Sequence, residues 1–222
     1  MKKILVTLFA SFILTACVTD NNKTTSSQPE INQISDIPES MRTISKKQFP
    51  ANIKDGEFTG TASNGRTFKT VVKNGYVDKY FDVYHPNGKL HSHTPLVQGL
   101  AQGWSEGYTQ EGKLRTKILY KNGMKNGIAI IYHENGNIKQ KSTFKNDKRE
   151  GDLFIYYPSG KLLQKRNFIN GKAEGELVEY YENGVVKEKA YFINDKQEKE
   201  NFFYDKKGNL IKTEIYKNNV KQ

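Results

Sequence analysis

The sequence predicts an all-β chain, an elongated single antiparallel meander built from 24-residue hairpin repeats. Three observations predict it. Tyr84, Tyr108, Tyr132, Tyr156, Tyr180 and Tyr204 recur every 24 residues, and Gly88, Gly112, Gly136, Gly160, Gly184 and Gly208 keep step with them. Turn chemistry recurs with the same period, in pairs such as Asn122-Gly123 and Asn170-Gly171, where glycine takes positive φ without steric cost. Between the turns lie runs of strand length, rich in Tyr, Phe, Ile and Val.

Composition fits a thin sheet. Only 36% of the 222 residues are hydrophobic, yet there are 13 Tyr and 12 Phe, so aromatic rings must do most of the burying. The net charge of +11 comes from lysines scattered along the chain, with no basic run longer than two or three. That pattern suits a solvated sheet with lysine at its turns and edges, and argues against a nucleic-acid partner. A single cysteine excludes an intramolecular disulfide and a multi-cysteine zinc site.

The first element, residues 1–16, reads as an export signal. Lys2 and Lys3 form a positive start, and Ile4 to Leu14 form an apolar run of eleven residues. A bilayer span needs about twenty, so this run is too short to be one. Leu14-Thr15-Ala16-Cys17 resembles the lipobox of bacterial lipoproteins. The resemblance implies a diacylglycerol on the Cys17 thiol and cleavage just before it, so that the membrane is reached through an N-terminal lipid. Acyl chains bind at roughly 0.8 kcal/mol per buried CH₂, and two or three anchor far more firmly than one. Val18, where the family's inner-membrane members carry Asp, favours the outer membrane in a two-membrane bacterium, facing the periplasm or the surface.

Residues 17–50 form the second element, the lipidated cysteine and a tether. From Val18 onward they are rich in Ser, Thr, Asn, Gln and Asp, and bury too little to offset their ordering entropy, which predicts disorder.

Residues 51–222 form the repeat domain, six to seven hairpin units and about a dozen strands. At roughly 4.8 Å per strand such a sheet would be about 50–60 Å long. Two residues after each column glycine stands Leu90, Leu114, Ile138, Leu162, Val186 or Leu210; eight after it stands Leu96, Tyr120, Phe144, Phe168, Phe192 or Tyr216. A second turn carries Gly99, Gly123 and Gly171, with Asp147 and Asp195 in the same column. A further column, Gly103, Gly127, Gly151 and Gly175, lapses at Lys199. An earlier, degenerate copy runs from Gly56 through Gly65 to Gly75, one residue short. A three-residue loop at Glu134 to Gly136 would set Tyr132 opposite Ile138 across the hairpin. Repetition would then stack tyrosine beside tyrosine as a seam between hairpins, with atypical first and last units as caps.

The core Y-x-x-x-G-K-L, followed by aromatic-K-N-G-x-x-x-G, resembles the MORN repeat variant over roughly residues 56–218. Many bacterial proteins of that class carry the label of a YwqK-type antitoxin. The resemblance implies a hairpin-repeat fold and a protein partner. The sequence departs from the family pattern at Trp104, which comes one residue after Gly103 rather than two, and at the second turn of the last unit.

Catalytic chemistry is sparse. His91 and His93 alternate about Ser92 with His85 nearby, a zinc- or copper-like grouping, but no acidic residue adjoins them in ligand spacing. The expectation is a solvated turn, no metal and no cofactor. No carboxylate pair recurs for acid–base work and no nucleophile or phosphate-loop motif is present, so no catalytic residues and no enzyme are expected. The repeated tyrosines serve either as packing or as a ligand platform. The functional expectation is a membrane-anchored lipoprotein acting as a protein-binding repeat module, an antitoxin or immunity protein that neutralises a toxin or secreted effector. The alternative is a structural or scaffolding envelope lipoprotein without a toxin partner. No partner-binding residue is assigned.

Overall fold

A computed structural model describes residues 54–62 and 64–222. The expected signal peptide, Cys17 and the tether lie outside the described residues. Within them the chain is all-β, with sixteen strands and no helix. It divides into two units: residues up to Gly112 with Lys121–Gly123, and Lys113–Tyr120 with Met124–Gln222. Each is an antiparallel meander of hairpins.

Unit 1 holds β1 (Gly56–Thr61), β2 (Thr67–Lys73), β3 (Tyr76–Tyr84), β4 (Leu90–Val97), β5 (Leu100–Ala101) and β6 (Gly103–Tyr108). β4 pairs with both β5 and β6. In β2 the period-2 alternation puts Phe68, Thr70 and Val72 on one buried face and lysines on the other. β3 adds Val77 and Phe81, 0% and 1% exposed, and Leu96 and Leu100 close the same core. Phe68 stacks on Phe81 with ring centroids 5.4 Å apart, and Phe58 lies 5.8 Å from Phe68.

The short first copy has a structural cause. In β3 and β4, Tyr84 pairs with Leu90 but Val83 pairs with Ser92, leaving His91 as an extra, bulged residue. In β1 and β2, Thr61 pairs with Thr67 and Gly60 with Phe68, with no bulge. The missing residue is the bulge. The turn itself is the same, closed by the Gly65 N–H to the Ala62 carbonyl just as Gly88 closes on His85.

Unit 2 opens with β7 (Leu114–Lys121) and β8 (Met124–Tyr132). It continues with β9 (Ile138–Lys145), β10 (Lys148–Tyr156), β11 (Leu162–Ile169), β12 (Lys172–Tyr180) and β13 (Val186–Ile193). The last strands are β14 (Lys196–Tyr204), β15 (Leu210–Lys217) and β16 (Val220–Lys221). From β8 on, each strand pairs antiparallel with the next. The expected dozen strands become sixteen because β1 and β2 add a hairpin, β16 adds a stub, and one run splits at Gln102 into β5 and β6.

Each repeat contains two irregularities. One is the bulge after the tyrosine turn, seen where Tyr132 pairs with Ile138 but Ile131 with Gln140. The other falls at the Gly151 column: Arg149 pairs with Phe144 but Leu153 with Ser142, so β10 spends two more residues than β9. Such insertions bend the strand and increase its twist. The column does not lapse in conformation at Lys199, which keeps φ at 66°, as Lys79 does at 65°.

The second turns are two-residue turns with both residues at positive φ, as the twist of a hairpin favours. Asn170 and Gly171 sit at 51° and 86°, Asn146 and Asp147 at 49° and 65°. Aspartate takes over from glycine here for a reason. Asp147 Oδ1 accepts the Lys125 N–H at 2.8 Å, and Asp195 Oδ1 accepts the Ala173 N–H at 2.7 Å. The last turn, Asn218-Asn219, does the same toward Gln197. Each such side chain ties its hairpin to the previous one and offsets the strain of its own backbone.

Candidate functional site

The tyrosine column lies at the end of each second strand, where Tyr84, Tyr156, Tyr180 and Tyr204 pair with Leu90, Leu162, Val186 and Leu210. Tyr108 ends β6 in the same way. All six tyrosines are half-buried rather than core. The glycines of the column, Gly88, Gly112, Gly136, Gly160, Gly184 and Gly208, sit in the turns with φ between 82° and 91°.

The expected tyrosine-on-tyrosine seam is not what joins the hairpins. Consecutive column members are two strands apart, roughly 10 Å, so their rings cannot meet. Tyr156 stacks instead on Phe154 of its own strand, at 6.5 Å.

The residue after each tyrosine makes the join. Tyr157 donates its hydroxyl to the Tyr180 carbonyl and Tyr181 to the Tyr204 carbonyl, both at 2.8 Å. His85 and His133 reach the Tyr108 and Tyr156 carbonyls through Nε2, at 3.1 and 2.9 Å. A carbonyl only accepts, so each Nε2 carries the proton. A second ladder runs at the opposite turns, where Glu150, Glu174 and Glu198 accept the N–H of Asn170, Asn194 and Asn218. The doubled tyrosines and the glutamates spaced by 24 were the sequence signals of both ladders. Tyr157→Phe leaves the Tyr180 carbonyl without its donor and is expected to cost about 0.5–1.5 kcal/mol. A urea midpoint shared with wild type would show that the ladder carries no stability.

The two faces of unit 2 differ in chemistry. On the tyrosine face, directly paired residues run Lys141, Phe154, Lys165, Val178, Lys189, Phe202 across β9 to β14. Lys165 lies 3.3 Å from Asp152, so this row has counter-charge on its own face. An open groove of about 620 Å³ lies here, bounded by Glu176, Lys189, Tyr191, Lys199, Glu200 and Tyr204. The other face carries the core of unit 2, Leu153, Phe168 and Ala173, flanked by Ile155 and Phe192. That core is thin. Its large members, Leu153 and Phe168, are each 7% exposed, against 3% or less for the large members in unit 1.

The histidines separate. His93 Nδ1 pairs with Asp82 Oδ1 at 2.6 Å, on β3 and β4. An acidic partner does therefore adjoin a histidine, across the sheet rather than along the chain. His91 Nδ1 lies 3.3 Å from His85 Nε2, and buried His85 keeps Nδ1 without a partner. Among the described residues no group of three or more His, Cys, Asp or Glu is placed to hold a metal. Tyr108 is pushed up to about 12 because its hydroxyl donates to the Glu106 carboxylate at 2.6 Å.

At the last hairpin, Glu214 is held down to about 2, against an ordinary 4.5, by hydrogen bonds from Lys212, Lys221 and Tyr216. A depressed carboxylate stabilises the fold when ionised. Its contribution is whole above about pH 4.5 and is lost as pH falls toward 2. The gap in melting temperature between wild type and Glu214→Gln is expected to shrink over that window and close near pH 2. A gap that is constant from pH 5 to pH 2 would contradict this.

No curated protein matches the chain in sequence. Among solved structures, a crystal structure of a porin-like protein from Bacteroides uniformis ATCC 8492 is similar at 9% identity, over 75% of this chain and 92% of that one, with a TM-score of 0.21. The family model described as MORN repeat variant matches three times in succession, at residues 125–146, 149–170 and 173–194. These matches follow the same 24-residue step as the hairpins of β8 to β13. Residues 125–194 are thus three consecutive repeats of the MORN repeat variant.

Proposed function

We propose that this protein is a lipid-anchored repeat module of the bacterial envelope that binds another protein through a face of its hairpin sheet. One observation carries the reading. The core of unit 2 is thin, and ordered rows of aromatic and charged side chains stay half-exposed on both of its faces. Apolar surface left exposed contiguously on a sheet face marks an interaction site. Binding by occlusion needs no catalytic residue. It fits neutralisation of a toxin or secreted effector, with Cys17 lipidation and the tether holding the module at the membrane.

The test is co-purification of the full chain from detergent-solubilised membranes. A single protein recovered in stoichiometric amount supports the reading. Recovery of the chain alone, from cells in which it is lipidated, would overturn it. Cys17→Ser is expected to leave an unprocessed, unlipidated precursor, and normal processing of that variant would remove the membrane anchor from the reading.

A further inference from the structure

Five side chains on the core face of unit 2 form a cation–aromatic ladder. The Arg149 guanidinium lies 5.7 Å from the Phe144 ring centroid and 5.5 Å from that of Phe168. Arg166 lies 5.4 Å from Phe168 and 4.3 Å from Phe192. Phe168 belongs to the buried cluster of this face, and Leu153 of that cluster pairs with Arg166 across the strands.

Neither guanidinium has a salt bridge or a hydrogen bond among the described residues. The Arg166 Nε is buried and has no acceptor. The carboxylate whose field acts on Arg166 is Asp195, and its Oδ1 already accepts the Ala173 N–H. Arg149 and Arg166 also repel each other, a cost that an anion between them would relieve.

The repeat supplies its own control. The position of Arg166 is held by Ser142, Ala190 and Glu214 in other repeats, and that of Arg149 by Lys125, Ala173 and Gln197. The hairpin folds with alanine at either place, so packing does not call for arginine there. Lysines on the opposite face stand in every unit from Lys117 to Lys189, and Lys165 is matched by Asp152.

We propose that the face bearing Arg149 and Arg166 is the docking site for an acidic segment of the partner protein, whose carboxylates the two guanidiniums bind. This rests on the protein-binding reading above. A guanidinium presents its N–H groups as a planar fork that matches a carboxylate, and stacking on rings orients that fork. The flanking phenylalanines take apolar side chains beside the acidic ones, a surface suited to peptide rather than to a hydrated headgroup.

The experiment uses the full chain in detergent and a fluorescein-labelled peptide of alternating glutamate and leucine, with fluorescence anisotropy as readout. The expected result is saturable binding that weakens at least tenfold in Arg149→Gln/Arg166→Gln. It should weaken less than twofold in Lys141→Gln/Lys165→Gln, which removes the same charge from the opposite face. Arg149→Lys/Arg166→Lys keeps charge and loses the fork, and is expected to bind several-fold more weakly than wild type. Equal losses in the two glutamine variants would overturn the site in favour of unspecific charge. So would no peptide binding, or capture of phosphatidylglycerol vesicles without capture of the peptide. Urea midpoints of the variants separate misfolding from lost binding. A co-purifying partner retained by Arg149→Gln/Arg166→Gln would sink this site and leave the binding module standing. No partner on wild type would remove the module reading itself.

Discussion

Phe81→Ala is expected to lower stability by about 3–5 kcal/mol, the usual range for emptying a buried aromatic site. Phe81 is 1% exposed, stacks on Phe68 and pairs with Thr70 and Thr94 in the adjacent strands. Its cavity opens in the best-packed part of unit 1, where a single sheet offers little to collapse inward. Tyr156→Ala is expected to cost about 1–2 kcal/mol, because that ring is half-buried and keeps contact with solvent. Urea unfolding of the two purified variants gives the comparison. A larger loss from Tyr156 than from Phe81 would place the core on the tyrosine face and reverse the assignment of faces.

The second large effect is expected from Gly127→Val, at about 2–4 kcal/mol. A Cβ at this position would stand 2.7 Å from Leu119 Cδ2, and φ is +114°, a conformation that side chains other than glycine rarely adopt. Gly136→Ala isolates the backbone effect, since φ is +88° and nothing lies within 4 Å of the added atom. It is expected to cost about 1 kcal/mol. Equal losses at the two positions would mean that Leu119 moves aside freely and that β7 and β8 are loosely packed.

The hairpin period was legible in the sequence because a turn is local chemistry. Asn and Gly at fixed offsets declare positive φ wherever they stand, and strand runs of fixed length lie between them. What joins one hairpin to the next was read less well. A 24-residue spacing shows that tyrosines align but not that two strands separate them, so stacking was expected where Tyr157 and Tyr181 supply hydrogen bonds instead. The Lys199 break in the glycine column suggested a change of geometry. The backbone holds that geometry anyway, with the ammonium 3.5 Å from the centroid of the Tyr191 ring.

Sites assembled across strands were harder still to read. His93 and Asp82 are eleven residues apart, and only the β3–β4 register brings them together. Arg149 and Arg166 carry no periodic signal, because their columns hold different residues in the other repeats. In a repeat protein the recurring positions report the scaffold, and a residue that breaks the recurrence without a packing reason marks a place to look for function.

Photo-crosslinking in cells tests the binding module most directly. Benzoylphenylalanine replaces Phe192 on the core face of unit 2 in one variant and Phe154 on the tyrosine face in another. The predicted result is an ultraviolet-dependent adduct between the lipidated chain and one discrete protein, strong from position 192 and weak from position 154. Folded, membrane-anchored protein that yields no adduct from either position would contradict the claim that this sheet exists to bind a partner.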